Sequence, residues 1–461
     1  MTNKEHWLLY FEDKRFRQKS ATIPSDGRNP FENDYGRLIS SAPIRRLQDK
    51  TQVFPLDKND YIRTRLTHSL EVSYIASSLG QSIEKFLIEE KEDISQHKRG
   101  YLSSLLRTCG LIHDLGNPPF GHFGEIAIQD YFKKFFDENP KIARKFSAQE
   151  RADFENFDGN IQTFRILSKL YYFGDEFGYN LSYSALATIV KYPSDSINGN
   201  KGSNSPQIAC KKAGYFASEE SKYNQINEYL QLNHRRHPAT YLLEAADDIA
   251  YSAADIEDGV KQGIISIEDI EELFDKYLTE NKSEILNYID SLKQEYPERG
   301  KVRDSIIVQK IRIFTQRIMI SSVIDTFIAN YETIMKGEIE NELINISKAK
   351  DVRKVYKKIQ SKIFMSKSIL KKEIAGREAI MGLLNIFVNA ALTDNFKVDG
   401  GNTLECRLYN LISPSYRLVY EQYEKYDNPL YRKLRLVVDF VAGMTDSYAV
   451  DLYQELKGIK L

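Results

Sequence analysis

The string HDLGNPPFGHFGE, residues 113 to 125, is the densest run of chemistry-bearing side chains in this 461-residue chain. Ahead of it, Leu102, Leu105, Leu106, Cys109 and Ile112 recur at intervals of three and four, the signature of one buried helix face. His113 lies four residues after Cys109 and extends that face, so its imidazole is expected to point inward. Asp114 follows, and Gly116 and Asn117 read as turn formers ahead of two prolines. His122 and Glu125 are three residues apart. If a helix begins after the prolines they share a face, where the carboxylate either orients the imidazole and favours its protonated form or merely helps to cap the helix.

Working outward, the same periodicity dominates. Val72, Ile75, Ala76, Leu79, Ile83 and Phe86 form one face, and His68, four residues before Val72, sits at its amino-terminal end. Leu242, Leu243, Ala246, Ala250 and Ala254 form another, which carries Asp247; a buried carboxylate there requires a partner, because an unpaired charge in an apolar interior is very costly. Residues 306 to 327 read as a further helix. Strand signals are sparse, and Leu434 to Val441 (LRLVVDFV) fits a buried helix as well as a strand. The expected fold is therefore mainly α. Three core-directed helices each deliver His or Asp to the interior, and one divalent metal held by two imidazoles and two carboxylates explains this economically.

Composition narrows the classes. With 42% apolar and 28% charged residues the chain is a folded protein, neither disordered nor membrane-embedded. No apolar run is long enough to span a bilayer, and the first residues, MTNKEHWLLYFEDKRF, lack an apolar leader segment, so a cytoplasmic location is expected. Cys109, Cys210 and Cys406 are widely separated and offer neither a disulfide framework nor a CxxC metal motif. A formal net charge of −1 supplies no global attraction to anions, so any phosphate binding must come from local groups. Ser194 to Pro206 (SDSINGNKGSNSP) reads as a solvated loop. Residues 348 to 372 are Lys-rich with interleaved Val355, Tyr356, Ile359, Ile363, Phe364 and Ile369; they form an amphipathic helix with a solvated basic face, or a surface for phosphate or single-stranded nucleic acid. Of the remaining histidines, His234 and His237 flank the Asp247 helix in HRRHP, with a loop or supporting role, and His6 and His97 lie in charged segments.

The order His, His-Asp, Asp resembles the HD superfamily of metal-dependent phosphohydrolases. Seven strings make the resemblance narrower: RRLQDKTQVFPL (45 to 56), RTRLTHSLEV (63 to 72), LIHDLGNPPFGHFGE (111 to 125), NFDGNIQTFRIL (156 to 167), KKAGYFASE (211 to 219), YLLEAADDIAYSAADIEDG (241 to 259) and DFVAGMTDSYA (439 to 449). Together they are similar to the deoxyguanosinetriphosphate triphosphohydrolase branch, across roughly 400 residues; the match is weakest between 265 and 435. The implied fold is an HD-domain helical core with an additional C-terminal helical region: an N-terminal arm at 1 to 34, the core at 35 to 270, and helices from 271 to 461 that complete the nucleotide pocket and make oligomer contacts.

The resemblance implies His68, His113, Asp114 and Asp247 as metal ligands, with Mn²⁺ or Mg²⁺ as the ion. It prefers Asp247 to Asp248 because Asp247, Tyr251 and Asp255, spaced four and four, share one helix face, as the ligand, a tyrosine and a sugar-side aspartate do in the family. Asp248 is then a supporting or helix-surface carboxylate. The resemblance also assigns His122 and Glu125 as the catalytic pair, with His122 as general base, general acid or nucleophile, Arg65 and Lys191 to phosphate, and Gln52, Tyr251 and Asp255 to the sugar, with Tyr251 one option among the tyrosines for packing on C2′. The implied reaction converts a deoxynucleoside triphosphate to deoxynucleoside and tripolyphosphate by attack at the α-phosphorus. The charge grown there must be offset by the metal and nearby cations. A homo-oligomer, and regulation by a nucleotide or single-stranded nucleic acid, are further implications. The rivals are an HD phosphodiesterase or nucleotidase acting on other nucleotides and a nucleic-acid-binding regulator.

Overall fold

A computed structural model describes residues 1–17, 26–57, 59, 61–171, 175–199, 210–298, 300–397, 401–423 and 425–459. Among these there is no strand, only an isolated bridge between Thr51 and Thr64, and no helix is long and apolar enough to cross a membrane. The helices that build the interior are α1 (Arg65–Glu89), α2 (Tyr101–Ile112), α3 (Gly121–Glu138), α4 (Gly159–Arg165), α5 (Tyr183–Ile189), α6 (Pro238–Lys261), α7 (Lys301–Ala329), α8 (Lys350–Phe364), α9 (Lys367–Ala391) and α10 (Pro429–Ala442).

Local chemistry sets the ends of the helices that carry site residues. Thr64 caps α1 in a reciprocal box with Thr67, satisfying two backbone donors. Pro238 opens α6 at a position that needs no amide hydrogen, and His237 Nδ1 accepts from the Ala239 amide at 3.2 Å. The periodic faces read from sequence are buried: Val72, Ala76, Leu79 and Ile83 of α1, Leu102, Leu105, Leu106 and Cys109 of α2, and Leu242, Leu243, Ala246 and Ala250 of α6 are each fully covered. Helix α6 is central, packing against α1, α2, α5, α7 and α8, while α9 lies across α3 and α10.

Helices α1 and α2 approach too closely for ordinary side chains at two points. A Cβ at Gly80 would lie 2.8 Å from Ser103 Cα, and one at Gly110 would lie 2.6 Å from Ser73 Cα. Both glycines are helical, so contact and not backbone freedom demands them. This seam holds the helix ending in His113 against the helix carrying His68.

Two sequence readings are refined here. The segment Leu434 to Val441 lies in helix α10 and is buried throughout, including Arg435 and Asp439, which are one turn apart on a face that meets protein and not solvent. The basic stretch 348 to 372 is two helices, with Met365 ending α8 and Ser366 opening α9; Val352, Val355, Tyr356, Ile359 and Ile363 of α8 are buried, Phe364 at its end is exposed, and its lysines face outward. Residues 194–199 form turns, with Asp195 Oδ1 accepting from the amides of Ile197 and Asn198 at 2.9 and 2.7 Å, whereas 200–206 lie outside the described residues. None of the three cysteines is in a disulfide.

The α1–α2 seam yields a test. Replacing Gly110 by Ala gains about 1 kcal/mol of helix propensity, but overpacking against the Ser73 backbone costs about 1–3 kcal/mol. The expected net effect is a thermal midpoint lowered by a few degrees, measured by circular dichroism; a midpoint unchanged or raised would show that the seam can relax.

Candidate active site

Helices α1, α2 and α6 bring His68, His113, Asp114 and Asp247 together. One ligand atom from each of His68, His113 and Asp114 lies within 4.8 Å of the others. Asp247 Oδ1 stands 3.3 Å from His68 Nε2 and 3.4 Å from His113 Nε2, and Asp114 Oδ1 stands 3.5 Å from His113 Nε2. The two rings meet nearly edge to face, their centroids 5.3 Å apart.

The donor set fits a divalent metal. His113 Nδ1 donates to the Gly110 carbonyl at 2.8 Å, which fixes the tautomer and leaves the Nε2 lone pair facing the two carboxylates. That buried Nε2 has no hydrogen-bond partner, the arrangement expected of a ligand atom. Burial pushes the His113 imidazole down, but Asp114 and Asp247 outweigh it and raise its pKa. The Asp114 carboxyl is raised by burial, then held below its ordinary range by His113 and Arg65. Asp247 is likewise held well below its ordinary range, burial being overcome chiefly by Lys191 and His113.

Arg65 and Lys191 are not surface residues. Arg65 Nη1 donates to Asp114 Oδ2 at 2.5 Å and its Nε to the Thr51 carbonyl at 3.1 Å. Lys191, just beyond α5, donates to Asp247 Oδ2 at 3.0 Å. Asp247 therefore turns Oδ1 toward both imidazoles and Oδ2 toward Lys191, while Asp114 turns Oδ1 toward His113 and Oδ2, 3.9 Å from His68 Nε2, toward Arg65.

The turn after Asp114 is shaped by contact. Gly116 abuts the backbone of Gly159 and Thr163 at the start of α4, leaving no room for a Cβ. Phe120 adopts φ 62°, a left-handed conformation costly for an L side chain, and its amide donates to Asp446 Oδ1 at 2.9 Å. This aims the first turn of α3, where His122 Nδ1 and Glu125 Oε2 are 2.8 Å apart. Glu125 is buried, its Oε1 accepting from the Gly159 amide at 2.6 Å, whereas the His122 side chain is 77% exposed and its far nitrogen is accessible. The hydrogen bond to Glu125 raises the His122 pKa.

Of the residues expected at the sugar, Tyr251 and Asp255 follow Asp247 along α6, whereas Gln52 lies on a separate segment. Gln52 follows the Thr51 bridge, and its Oε1 is buried without a hydrogen-bond partner. Asp255 accepts from Gln360 Nε2 of α8 at 2.7 Å through Oδ2, its Oδ1 is buried without a partner, and burial pushes its carboxyl up to about 8. Tyr251, one turn before it, has a phenol raised by burial.

Asp248 points elsewhere, and its reading as a surface carboxylate is corrected. It is buried and accepts from Arg353 Nη2 of α8 at 2.6 Å; the same nitrogen donates to Glu342 at 2.9 Å. Arg353 and Gln360 were not singled out from sequence. They are seven residues apart on the side of α8 that meets α6, a relation visible only once the two helices are packed. Lys212, which pairs with Asp158 beside the α4 start, was also missed, although it lies within the string KKAGYFASE.

The comparisons bear on this geometry. A family profile described as "HD domain" matches residues 65–225, and one described as "Phosphohydrolase-associated domain" matches 406–455. A "Deoxyguanosinetriphosphate triphosphohydrolase-like protein" of Listeria innocua is 40% identical over 466 residues, spanning 98% of this chain and 99% of its own. The chain belongs to the deoxyguanosinetriphosphate triphosphohydrolase-like family of HD-domain proteins. A deoxyguanosinetriphosphate triphosphohydrolase of Yersinia enterocolitica, 31% identical across 92% of this chain and 93% of its own, and a triphosphohydrolase-like protein of Pseudomonas aeruginosa, 32% identical across 98% of each, are further relatives. As an HD-domain member of this triphosphohydrolase-like family, the protein is a hydrolase.

Two measurements probe the assignments. Asp247→Asn is expected to abolish Mn²⁺ binding in a calorimetric titration. Asp248→Ala is expected to retain it while losing about 1–3 kcal/mol of stability, since Glu342 still partners Arg353. The reverse pattern would transfer the ligand role to Asp248. For His122, the raised pKa means that its interaction with Glu125 is fully present below imidazole's ordinary 6.5 and is lost as pH rises through the higher folded value. An NMR titration should therefore place His122 above 6.5 and Glu125→Gln should lower it; equal values in the two proteins would contradict the assignment.

Proposed function

We propose that the protein hydrolyses deoxynucleoside triphosphates, dGTP among them, to deoxynucleoside and tripolyphosphate, and that it serves control of the deoxynucleotide pool. The observation that carries this reading is the His68, His113, Asp114 and Asp247 cluster with Arg65 and Lys191 joined to its two carboxylates, in a chain whose full-length relatives bear the triphosphohydrolase name. A divalent ion held by those four ligands, Mn²⁺ or Mg²⁺, would supply Lewis acidity toward a phosphate oxygen and make water a better nucleophile.

The chain's own residues do the rest. Arg65 and Lys191 bring fixed positive charge to the α-phosphate, where negative charge accumulates as water attacks phosphorus. The bond to the 5′ oxygen breaks, and that oxygen leaves as an alkoxide that needs a proton. His122, its Nδ1 engaged by Glu125 and its pKa raised, is suited to carry the proton on Nε2 and deliver it there as general acid. Phosphorus gains the water oxygen, which gives up a proton to solvent, the nucleoside departs carrying the proton from His122, and His122 regains one from solvent, so atoms and charge balance.

Sugar recognition falls to Gln52, Tyr251 and Asp255. A carboxyl titrating near 8 is protonated at neutral pH, so Asp255 can donate to a 3′ oxygen while the unpartnered Gln52 Oε1 accepts from the 3′ hydrogen. Tyr251 packs against C2′ and excludes ribonucleotides. A site built around buried polar groups rejects a substrate that leaves them unpaired by orders of magnitude.

The three-part division at 34/35 and 270/271, a homo-oligomeric assembly and a cytoplasmic location belong to the same proposal. A second reading draws on α8, where Lys350, Arg353, Lys354, Lys357 and Lys358 line a concavity of about 650 Å³. Its chemistry suits a regulatory nucleotide or single-stranded nucleic acid, whose binding would weaken steeply with salt.

Incubation with each deoxynucleoside triphosphate, alone and in pairs, in the presence of Mn²⁺ tests the proposal. The expected products are deoxynucleoside and tripolyphosphate; orthophosphate or pyrophosphate would instead indicate an HD nucleotidase or phosphodiesterase. A 2′,3′-dideoxy substrate should lose at least about a hundredfold in kcat/KM. Affinity for the 3′-hydroxyl substrate should fall above about pH 8 as Asp255 ionises, and a flat profile across that range would remove Asp255 from the sugar contact.

A further inference from the structure

The charges around the cluster nearly cancel before any ligand is counted. Asp114 and Asp247 contribute two negative charges; Arg65 and Lys191, each touching one of them, contribute two positive charges. All four side chains are largely buried, with 9% and 17% of Arg65 and Asp114 and 11% and 20% of Lys191 and Asp247 exposed, so solvent screens these interactions weakly. The nearby pair Arg236 and Glu244, joined at 2.8 Å, cancels within itself. Lys50, buried close to Asp446, Arg65 and Asp114, is pushed down to about 7 by burial and so carries only part of a positive charge at neutral pH.

A divalent ion entering such a site meets two carboxylates that already have fixed cationic partners, so it gains little net attraction and is repelled by two buried cations. A phosphate anion entering alone meets the same cations already engaged. When both arrive, the cations face phosphate oxygen and the carboxylates face the ion. We infer that Lys191 and Arg65 are resident counter-charges that keep divalent-ion affinity low until a phosphate group is present, so that ion and anion bind as a coupled pair. Lys191 is in this sense a positioning residue for the ion, acting through Asp247. It leaves Oδ1, the oxygen nearer both imidazoles, as the free donor and occupies Oδ2. The inference rests on the hydrolase reading and adds a regulatory property to it: ion occupancy follows substrate phosphate.

The test titrates Mn²⁺ into the full-length protein, following free Mn²⁺ by electron paramagnetic resonance in phosphate-free buffer and then with inorganic phosphate as the anion probe. Lys191→Met is expected to bind Mn²⁺ about tenfold more tightly than the unmodified protein without phosphate, within the usual range of coupling between sites. Lys191→Arg, which keeps the charge, is expected to match the unmodified protein. A merely structural lysine would give the opposite sign, since its loss would disorder Asp247 and weaken the ion. Equal or weaker Mn²⁺ binding by a folded Lys191→Met therefore overturns the inference. If that variant does not fold, the unmodified protein decides. Phosphate should tighten its Mn²⁺ binding several-fold, and no change overturns the inference. Failure of the hydrolase reading appears separately, in the nucleotide products, which do not depend on the sign of this effect.

Discussion

Two carboxylates buried against two imidazoles are the constraint around which this molecule is organised. Charge inside a helical body is tolerated only when it is compensated, and each compensating group draws another element inward. Asp114 takes Arg65 from the first turn of α1, and Asp247 takes Lys191 from the end of α5. His113 ties its ring to the Gly110 carbonyl within its own helix. The glycine contacts between α1 and α2 then bring these groups to a common point. A site of this kind cannot be built on loops alone; it needs several helices held in fixed register.

The same logic extends past the cluster. Asp248, one residue from Asp247 but on a different face of α6, is satisfied by Arg353 and through it by Glu342. Asp255, one turn beyond Tyr251, is satisfied on one oxygen by Gln360. Asp247, Asp248 and Asp255 of one helix thus meet an imidazole pair, a structural cation and a neutral amide, and burial drives Asp255 toward its protonated form. Position around the helix axis decides which role each acid takes.

Much of this was legible in the amino-acid order, for a physical reason. His68, His113 and Asp247 lie on strongly periodic apolar faces, so their inward direction followed from spacing, and the four-residue steps from Asp247 to Asp255 separated that face from Asp248. Helix α10 was ambiguous because Leu434 to Val441 is buried throughout, so no exposed position within this short β-branched run marks a solvent face. The division of the basic stretch at Met365 was missed because its apolar positions continue almost in phase across the break. Arg353, Gln360 and Lys212 escaped because a cation or amide on a lysine-rich helix or in a loop carries no mark of its partner. Their meaning depends on tertiary neighbours 54 to 105 positions away.

Asp446 joins two distant parts of the site. Its Oδ1 receives the amide of Phe120, which aims His122, and its Oδ2 receives the amide of Thr51 at 3.0 Å, next to Gln52. The turn bearing the proposed acid and the loop bearing the proposed sugar contact are therefore pinned by one side chain within the segment 406–455. During synthesis the cluster residues emerge first and this clamp emerges last. The helices that carry His68, His113, Asp114 and Asp247 are thus complete in sequence long before the side chain that anchors the turn bearing His122.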